Sequence, residues 1–255
     1  MRGNILFGLR ICLLVFWGAT ALCATPVMAG KTVVAWCYYR TEPFVTGKGQ
    51  GLAHDFVKML NERAEGRFLF TLAFLPRKRI DQRLEYHEPG VVLFVNPIWM
   101  NDPDEERYLW TSPMLRDRNE IISSASRPVE YAGVPSLFGL KLGGVFGRRY
   151  APLEQAVATG EILREDSASA RLNLLKVAER RVDFITMPRS QAMPLVKSLK
   201  IGHRLHFSSK PLFLYTRHVL VTRELHDVYA FLEDFMRKIP DDPEWKRIRE
   251  KYEVE

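Results

Sequence analysis

Apolar residues recur at two spacings along the chain, and the alternation between the two outlines its elements. Thr32 to Trp36 is a short apolar run that predicts a first strand. A turn-rich stretch from Tyr38 to Gly51 follows. Ala53, Phe56, Val57, Leu60 and Ala64 then repeat at helical spacing, and Gly66 ends that helix. Phe68 to Leu75 predicts a second strand, broken by Pro76. Ile80 and Leu84 mark one face of a helix over Arg77 to Tyr86. Val91 to Val95 is apolar throughout and is bounded by Pro89-Gly90 and Asn96-Pro97, which predicts a strand buried on both faces. This β-α-β-α-β order predicts a parallel sheet with right-handed crossovers.

The pattern then restarts. Glu120 to Ser124 is a short extended piece, and Leu140 to Val145 is a further strand after a turn over Val134 to Gly139. Gly147 to Tyr150 is expected to open a helix that runs to about Thr159. Ser169 can cap the next helix, whose expected buried face is Leu172, Leu175 and Ala178. Val182 to Ile185 reads as a strand and Ser190 to Leu199 as a helix. Leu212 to Val221 is long enough to cross between two halves of the molecule. Two helices end the chain. One carries Val228, Leu232, Phe235 and Ile239. The other starts at the Asp242-Pro243 pair and buries Trp245, Ile248 and Tyr252.

The first 29 residues have a different character. Arg2 and Arg10 precede an apolar run from Ile11 to Cys23, and Val27-Met-Ala29 offers small residues for cleavage. That pattern is an export signal. Its removal leaves 226 residues with 35 basic against 30 acidic side chains, a net charge of about +5. Such an excess favours anionic small molecules, and no dense basic run with interleaved aromatics points to nucleic acid. Cys37 is the one cysteine after the signal. No internal disulfide is therefore possible, and the exported chain must be held together by its apolar core. His203 and His206 have no acid or cysteine at ligand spacing beside them, so neither a metal nor another cofactor is expected.

Several short stretches, taken in order, resemble the family 3 extracellular solute-binding proteins. They are Glu42-Pro43-Phe44, Gly51 to Asp55, Glu106-Arg107 before Thr111 to Pro113, Ser136 to Leu140 before Gly144 to Gly147, Arg181 to Asp183, and Pro243 to Trp245 near Tyr252. The resemblance spans nearly the whole exported chain. It implies an α/β type II periplasmic-binding-protein fold, two lobes joined by two hinge strands with the ligand trapped between. Lobe 1 is expected over 30–119 and 214–255, and lobe 2 over 120–213. It further implies a monomeric periplasmic receptor that serves an ABC permease. A membrane sensor is the alternative partner, and an enzyme on the same fold, such as a cyclohexadienyl dehydratase, is the alternative activity. Glu42 is the nearest candidate for the general acid such an enzyme needs.

By the resemblance, Arg107 is the position that grips a ligand carboxylate, and a planar guanidinium suits that task. Gly147 and Arg148 occupy the corner of lobe 2 that receives the ligand's acidic end. Tyr38 and Tyr39 wall one side of the cleft, and Asn96 and Trp99 lie past the third strand where they can line it. One departure changes the expected ligand. The family places a carboxylate for the ligand ammonium just after the strand at Val182 to Ile185. Here Thr186-Met-Pro-Arg189 stands there. With Arg107, Arg148 and Arg189 expected to converge, an anionic solute, amino-acid-like or an organic acid, replaces an ordinary amino acid as the expected ligand.

Overall fold

The computed structural model describes residues 30–255. The export signal expected over 1–29 lies outside the described residues. β1 (Lys31–Cys37), α1 (Leu52–Ala64), β2 (Phe68–Phe74), α2 (Arg77–Glu85) and β3 (Val91–Val95) follow the predicted order. β1 pairs in parallel with both β2 and β3. Next come β4 (Leu109–Trp110), β5 (Leu115–Ser124), β6 (Lys141–Val145), α3 (Glu154–Ala158), β7 (Leu163–Ser167), α4 (Ala170–Ala178), β8 (Phe184–Pro188), α5 (Arg189–Leu199), β9 (Leu205–Phe207) and β10 (Phe213–Val221). The described chain ends in α6 (His226–Lys238) and α7 (Pro243–Tyr252). Hydrogen bonding runs β2-β1-β3-β10-β5-β8-β6-β7, with β4 beside β10 and β9 beside β5.

Each lobe buries apolar side chains on both faces of its strands. In the first, Phe56, Leu60, Leu232 and Trp245 cover one face, while Trp36, Ile80, Val92 and Trp110 fill the other. In the second, Leu174, Val177, Ile185 and Ala192 lie on one side, and Leu137, Leu142, Leu153 and Phe184 on the other. All five residues of β3 are buried. Its side chains do not simply alternate. Leu93 and Phe94 both join the α1 side, and Val95 returns to the Trp36 side. Phe94 has φ +62°, and two residues of β3, Leu93 and Phe94, oppose the one residue of β10 between His218 and Leu220. This is a β-bulge, and a left-handed backbone is rare for a bulky residue. Its consequence is local: the Phe94 carbonyl turns to accept a hydrogen bond from Arg217, at 3.1 Å.

Two long strands join the lobes. β10 pairs with β5 through Phe213 to Arg217, then with β3 and β4 through His218 to Val221. β5 pairs with β10 up to Asn119, then with β8 from Asn119 to Ser123. Each crossing strand changes partner near its middle, and side chains at those points face the space between the lobes.

Two expectations about lobe 2 are corrected, and one strand, β7, was not anticipated. Gly147 to Tyr150 does not open a helix. Gly147 sits in a turn at φ +72°, and the five-residue α3 starts at Glu154. Glu154 Oε1 takes the Tyr150 N–H at 2.6 Å, so that backbone donor is used up. In α4 the buried face is Asn173, Leu174, Val177 and Ala178, while Leu172 is 45% exposed. Asn173 turns inward because its Nδ2 donates to the Gly143 and Gly144 carbonyls. β7 carries no apolar pattern at all. It is an edge strand whose Arg164, Glu165 and Asp166 make ion pairs across its surface.

Cys37 is fully buried in β1, and burial pushes its thiol up to about 12. The thiolate is the reactive form, so native protein at pH 8 should resist alkylation and thiol–disulfide exchange. Mass spectrometry after iodoacetamide treatment should show modification only in denaturant. Rapid native labelling would contradict this placement.

Candidate functional site

A cleft of about 910 Å³ lies between the lobes, and both crossing strands contribute to it. Tyr38, Arg77, Ile98 and Trp99 line it from the first lobe, Arg148, Tyr150 and Gln191 from the second, and Asn119, Phe213, Tyr215 and Arg217 from the crossing strands. Among the described residues, four that line it are arginines, Arg149 being the fourth beside Arg77, Arg148 and Arg217, and none is Asp, Glu or Lys. The walls thus combine aromatic faces with positive charge, which suits a planar or apolar body carrying an anionic group.

Arg217 forms the floor, at 1% exposure. Its guanidinium has five N–H donors, and the protein occupies all five. Nε and Nη2 donate to Asp117 Oδ2 at 3.2 and 2.8 Å. Nη2 also donates to the Tyr215 hydroxyl, and Nη1 to the Tyr39 hydroxyl and the Phe94 carbonyl. Burial alone would lower this guanidinium, but Tyr39, Tyr215 and Asp117 reverse that and hold it charged. The rings of Tyr39, Phe44, Tyr215 and Trp99 surround it at 5.0 to 5.4 Å. Asp117 also accepts from Ser190 Oγ of α5 at 2.6 Å and from Tyr215 at 3.0 Å. One buried ion pair therefore joins β3, β5, β10 and the start of α5. Because no donor of Arg217 is left over, its task is to fix the aromatic walls, and it does not grip a ligand.

The other arginines differ in what they have left to offer. Arg77 donates to Asp81 Oδ1 and to the Trp99 carbonyl, and it stacks over Tyr38. Arg149 points out, 85% exposed, toward Glu154. Arg148 is half-buried and rests over the Tyr150 ring at 5.6 Å, with no carboxylate partner among the described residues. Burial raises the phenols of Tyr38 and Tyr215, so both stay neutral.

No family model matches the sequence, and no curated protein matches it. Solved structures do match. The chain is similar to the probable amino-acid ABC transporter extracellular-binding protein YtmK from Bacillus subtilis, with TM-score 0.69 at 12% identity over 88% of this chain and 97% of that one. It is similar to an ancestral arginine-binding protein bound to arginine, with TM-score 0.66 at 12% identity over 88% and 99%. This is the type II periplasmic-binding-protein fold. The B. pertussis BvgS periplasmic domain shares it, with TM-score 0.67 at 15% identity over 87% of this chain and 42% of that one.

The periplasmic-binding-protein fold brings together only some of the residues expected from sequence. Tyr38, Tyr39, Trp99 and Arg148 line the interlobe cleft, and Gly147 forms the turn beside Arg148. Arg107, Asn96 and Arg189 do not line it. Arg107 is exposed; its side chain lies over Tyr108 and donates to the Asn101 carbonyl. Asp102 accepts the backbone N–H of both Arg107 and Tyr108, which closes this loop on itself. Asn96 caps the turn Pro97–Met100 and donates to the Thr216 carbonyl, a role in joining β3 to β10. Arg189 pairs with the buried Glu120 at 2.8 Å, so the expected convergence of Arg107, Arg148 and Arg189 does not occur. Arg77, Arg217, Asn119 and Tyr215 were not anticipated. A signal for Arg217 was present, since it is the one permanently charged residue in the apolar run Leu212 to Val221.

Proposed function

We propose that the protein is an exported periplasmic receptor whose lobes, 30–119 with 214–255 and 120–213, close on a small organic anion for delivery to an ABC importer. The observation that carries this reading is the interlobe cleft with four arginines, aromatic walls and no carboxylate. Arg148 is the proposed anion anchor, since it is the cleft guanidinium without an acidic partner among the described residues. Tyr38, Trp99 and Tyr215 are the proposed faces for the ligand's body. A neighbour of this fold holds arginine. The present cleft has no acid to receive a guanidinium, and that argues for the opposite ligand charge.

Closure requires differential binding. Moving a population from mostly open to mostly closed takes about 5.5 kcal/mol. Two charge-assisted hydrogen bonds at about 1.5–3 kcal/mol each, with one stacked ring at about 0.5–1.5 kcal/mol, reach that range. Thermal-shift measurements on the purified protein against dicarboxylates, sugar acids, aromatic acids and amino acids test the reading. A ligand at 100 times its dissociation constant stabilises by about 2.7 kcal/mol. Anionic solutes should raise the melting temperature, and lysine or arginine should leave it unchanged. A shift with lysine or arginine alone overturns the anion reading.

A second reading, a sensory binding module, is favoured by the BvgS periplasmic domain, where the fold is one part of a longer chain. A permease gene beside this one supports transport, and a membrane sensor gene supports sensing. The enzyme reading has less support. Glu42 lies on a different groove, with Pro194, Lys197 and Tyr252, and no Asp or Glu lines the cleft to act as general acid. Incubation with prephenate should yield no phenylpyruvate.

A further inference from the structure

A recess of about 10 Å³ adjoins the interlobe cleft and shares Arg148 and Tyr150 with it as lining residues. The carboxyl end of β6, at Val145, and the middle of β8, at Thr186, form two of its sides, and the first residue of α4, Ala170, forms a third. Ligands in α/β sheets sit beyond such strand ends. Thr186 is 4% exposed, and its Oγ1 has no hydrogen-bond partner among the described residues. A buried hydroxyl left unpaired is destabilising, so one that faces a recess calls for a partner from outside the chain. The neighbouring polar group is already saturated. Asn173 donates to the Gly143 and Gly144 carbonyls and accepts from Ser167 Oγ at 2.7 Å.

The surroundings have one electrostatic sign. Arg148 lies at the mouth. The first N–H groups of a helix have no partner within it, and Ser169 Oγ takes only that of Leu172 in α4. The positive end of the helix dipole therefore faces the recess. An ammonium group would meet two repulsive partners there. The volume is about that of a single water-sized atom, too small for a tetrahedral phosphate or sulfate.

We infer that this recess is a carboxylate subsite, in which one ligand oxygen enters to meet the Thr186 hydroxyl and the α4 N-terminus while the other stays on Arg148. The inference rests on the receptor reading above and specifies its ligand: a carboxylic acid bound end-on into lobe 2, with its remaining body between the aromatic rings. Thr186 acts by direct contact, and it sets selectivity for a carboxylate over its ester or amide.

The test uses succinate, glutarate, benzoate and phenylpyruvate, each beside its methyl ester, titrated calorimetrically into wild type, Thr186→Val and Thr186→Ser. Valine matches threonine in shape and removes the unpaired hydroxyl, so Thr186→Val should melt at or above the wild-type temperature without ligand. It should bind the preferred acid about 10-fold more weakly. Thr186→Ser should bind within about threefold of wild type, and it retains the readout if the valine variant does not fold. Wild type should prefer each acid to its ester, and Thr186→Val should lose most of that preference. If Thr186→Val binds the acid as wild type does, the subsite is overturned and the receptor reading stands. If wild type binds none of the acids, the anion-receptor reading fails, and this subsite fails with it.

Discussion

Replacing Arg217 with methionine should lower the unfolding free energy by about 3–5 kcal/mol, the largest effect expected of any single substitution outside the apolar core. The expectation rests on what the change leaves behind. Asp117 is 7% exposed and takes two of the five Arg217 hydrogen bonds on one carboxylate oxygen. Ser190 and Tyr215 still donate to it after the change, which favours the lower end of the range. The Phe94 carbonyl, turned inward by the bulge in β3, also loses its donor. Urea denaturation gives the number. A second variant separates lost packing from an orphaned charge. Arg217→Met combined with Asp117→Asn should recover at least half of the loss, because a neutral pair has no buried charge to leave uncompensated. A single variant within about 1 kcal/mol of wild type would contradict the assigned role of this node.

Arg148→Ala should weaken binding of the acid that gives the largest thermal shift by about 10- to 100-fold and leave stability near wild type. A charge-assisted hydrogen bond contributes about 1.5–3 kcal/mol, and each 1.4 kcal/mol is tenfold in affinity. Arg148 makes no ion pair among the described residues, and its contact with Tyr150 is over the ring face, so little of the folded structure depends on it. Arg148→Lys should fall between the two, since it keeps the charge and loses the planar fork. Arg107→Ala is the contrasting variant and should bind as wild type does, because Arg107 lies outside the cleft. The outcome that removes Arg148 from the anchoring role is an alanine variant with unchanged affinity by calorimetry.

The contrast between Arg107 and Arg148 shows where sequence reasoning succeeds and where it stops. Arg107 stands one residue and Arg148 two residues before a tyrosine, and both sit in turn-rich stretches after an apolar strand. Their directions differ because of contacts several residues away. Asp102 gathers the backbone at Arg107 and Tyr108 and closes that loop on itself. At Arg148 the chain is held by its own N–H on the Val145 carbonyl and by Tyr150 on the Val145 N–H. Neither arrangement has a signature in spacing. The polar β7 is a similar case, because an edge strand needs one paired neighbour and has no periodic apolar face to reveal it.

Local pattern alone determined the order of strands and helices from β1 to β3, the double burial of β3, the capped starts of α4 and α7, and through these the α/β class. These features follow from which residues a strand or helix must hide from water, a property that each segment carries with it. Tertiary structure decided the site. Asp117 and Arg217 are 100 residues apart, and they meet only because β5 and β10 run antiparallel in one register. Thr186 and Arg148 share a recess only because β6 and β8 pair in parallel, side by side. Charge pairing and pocket geometry depend on such registers, and register is a property of the assembled sheet.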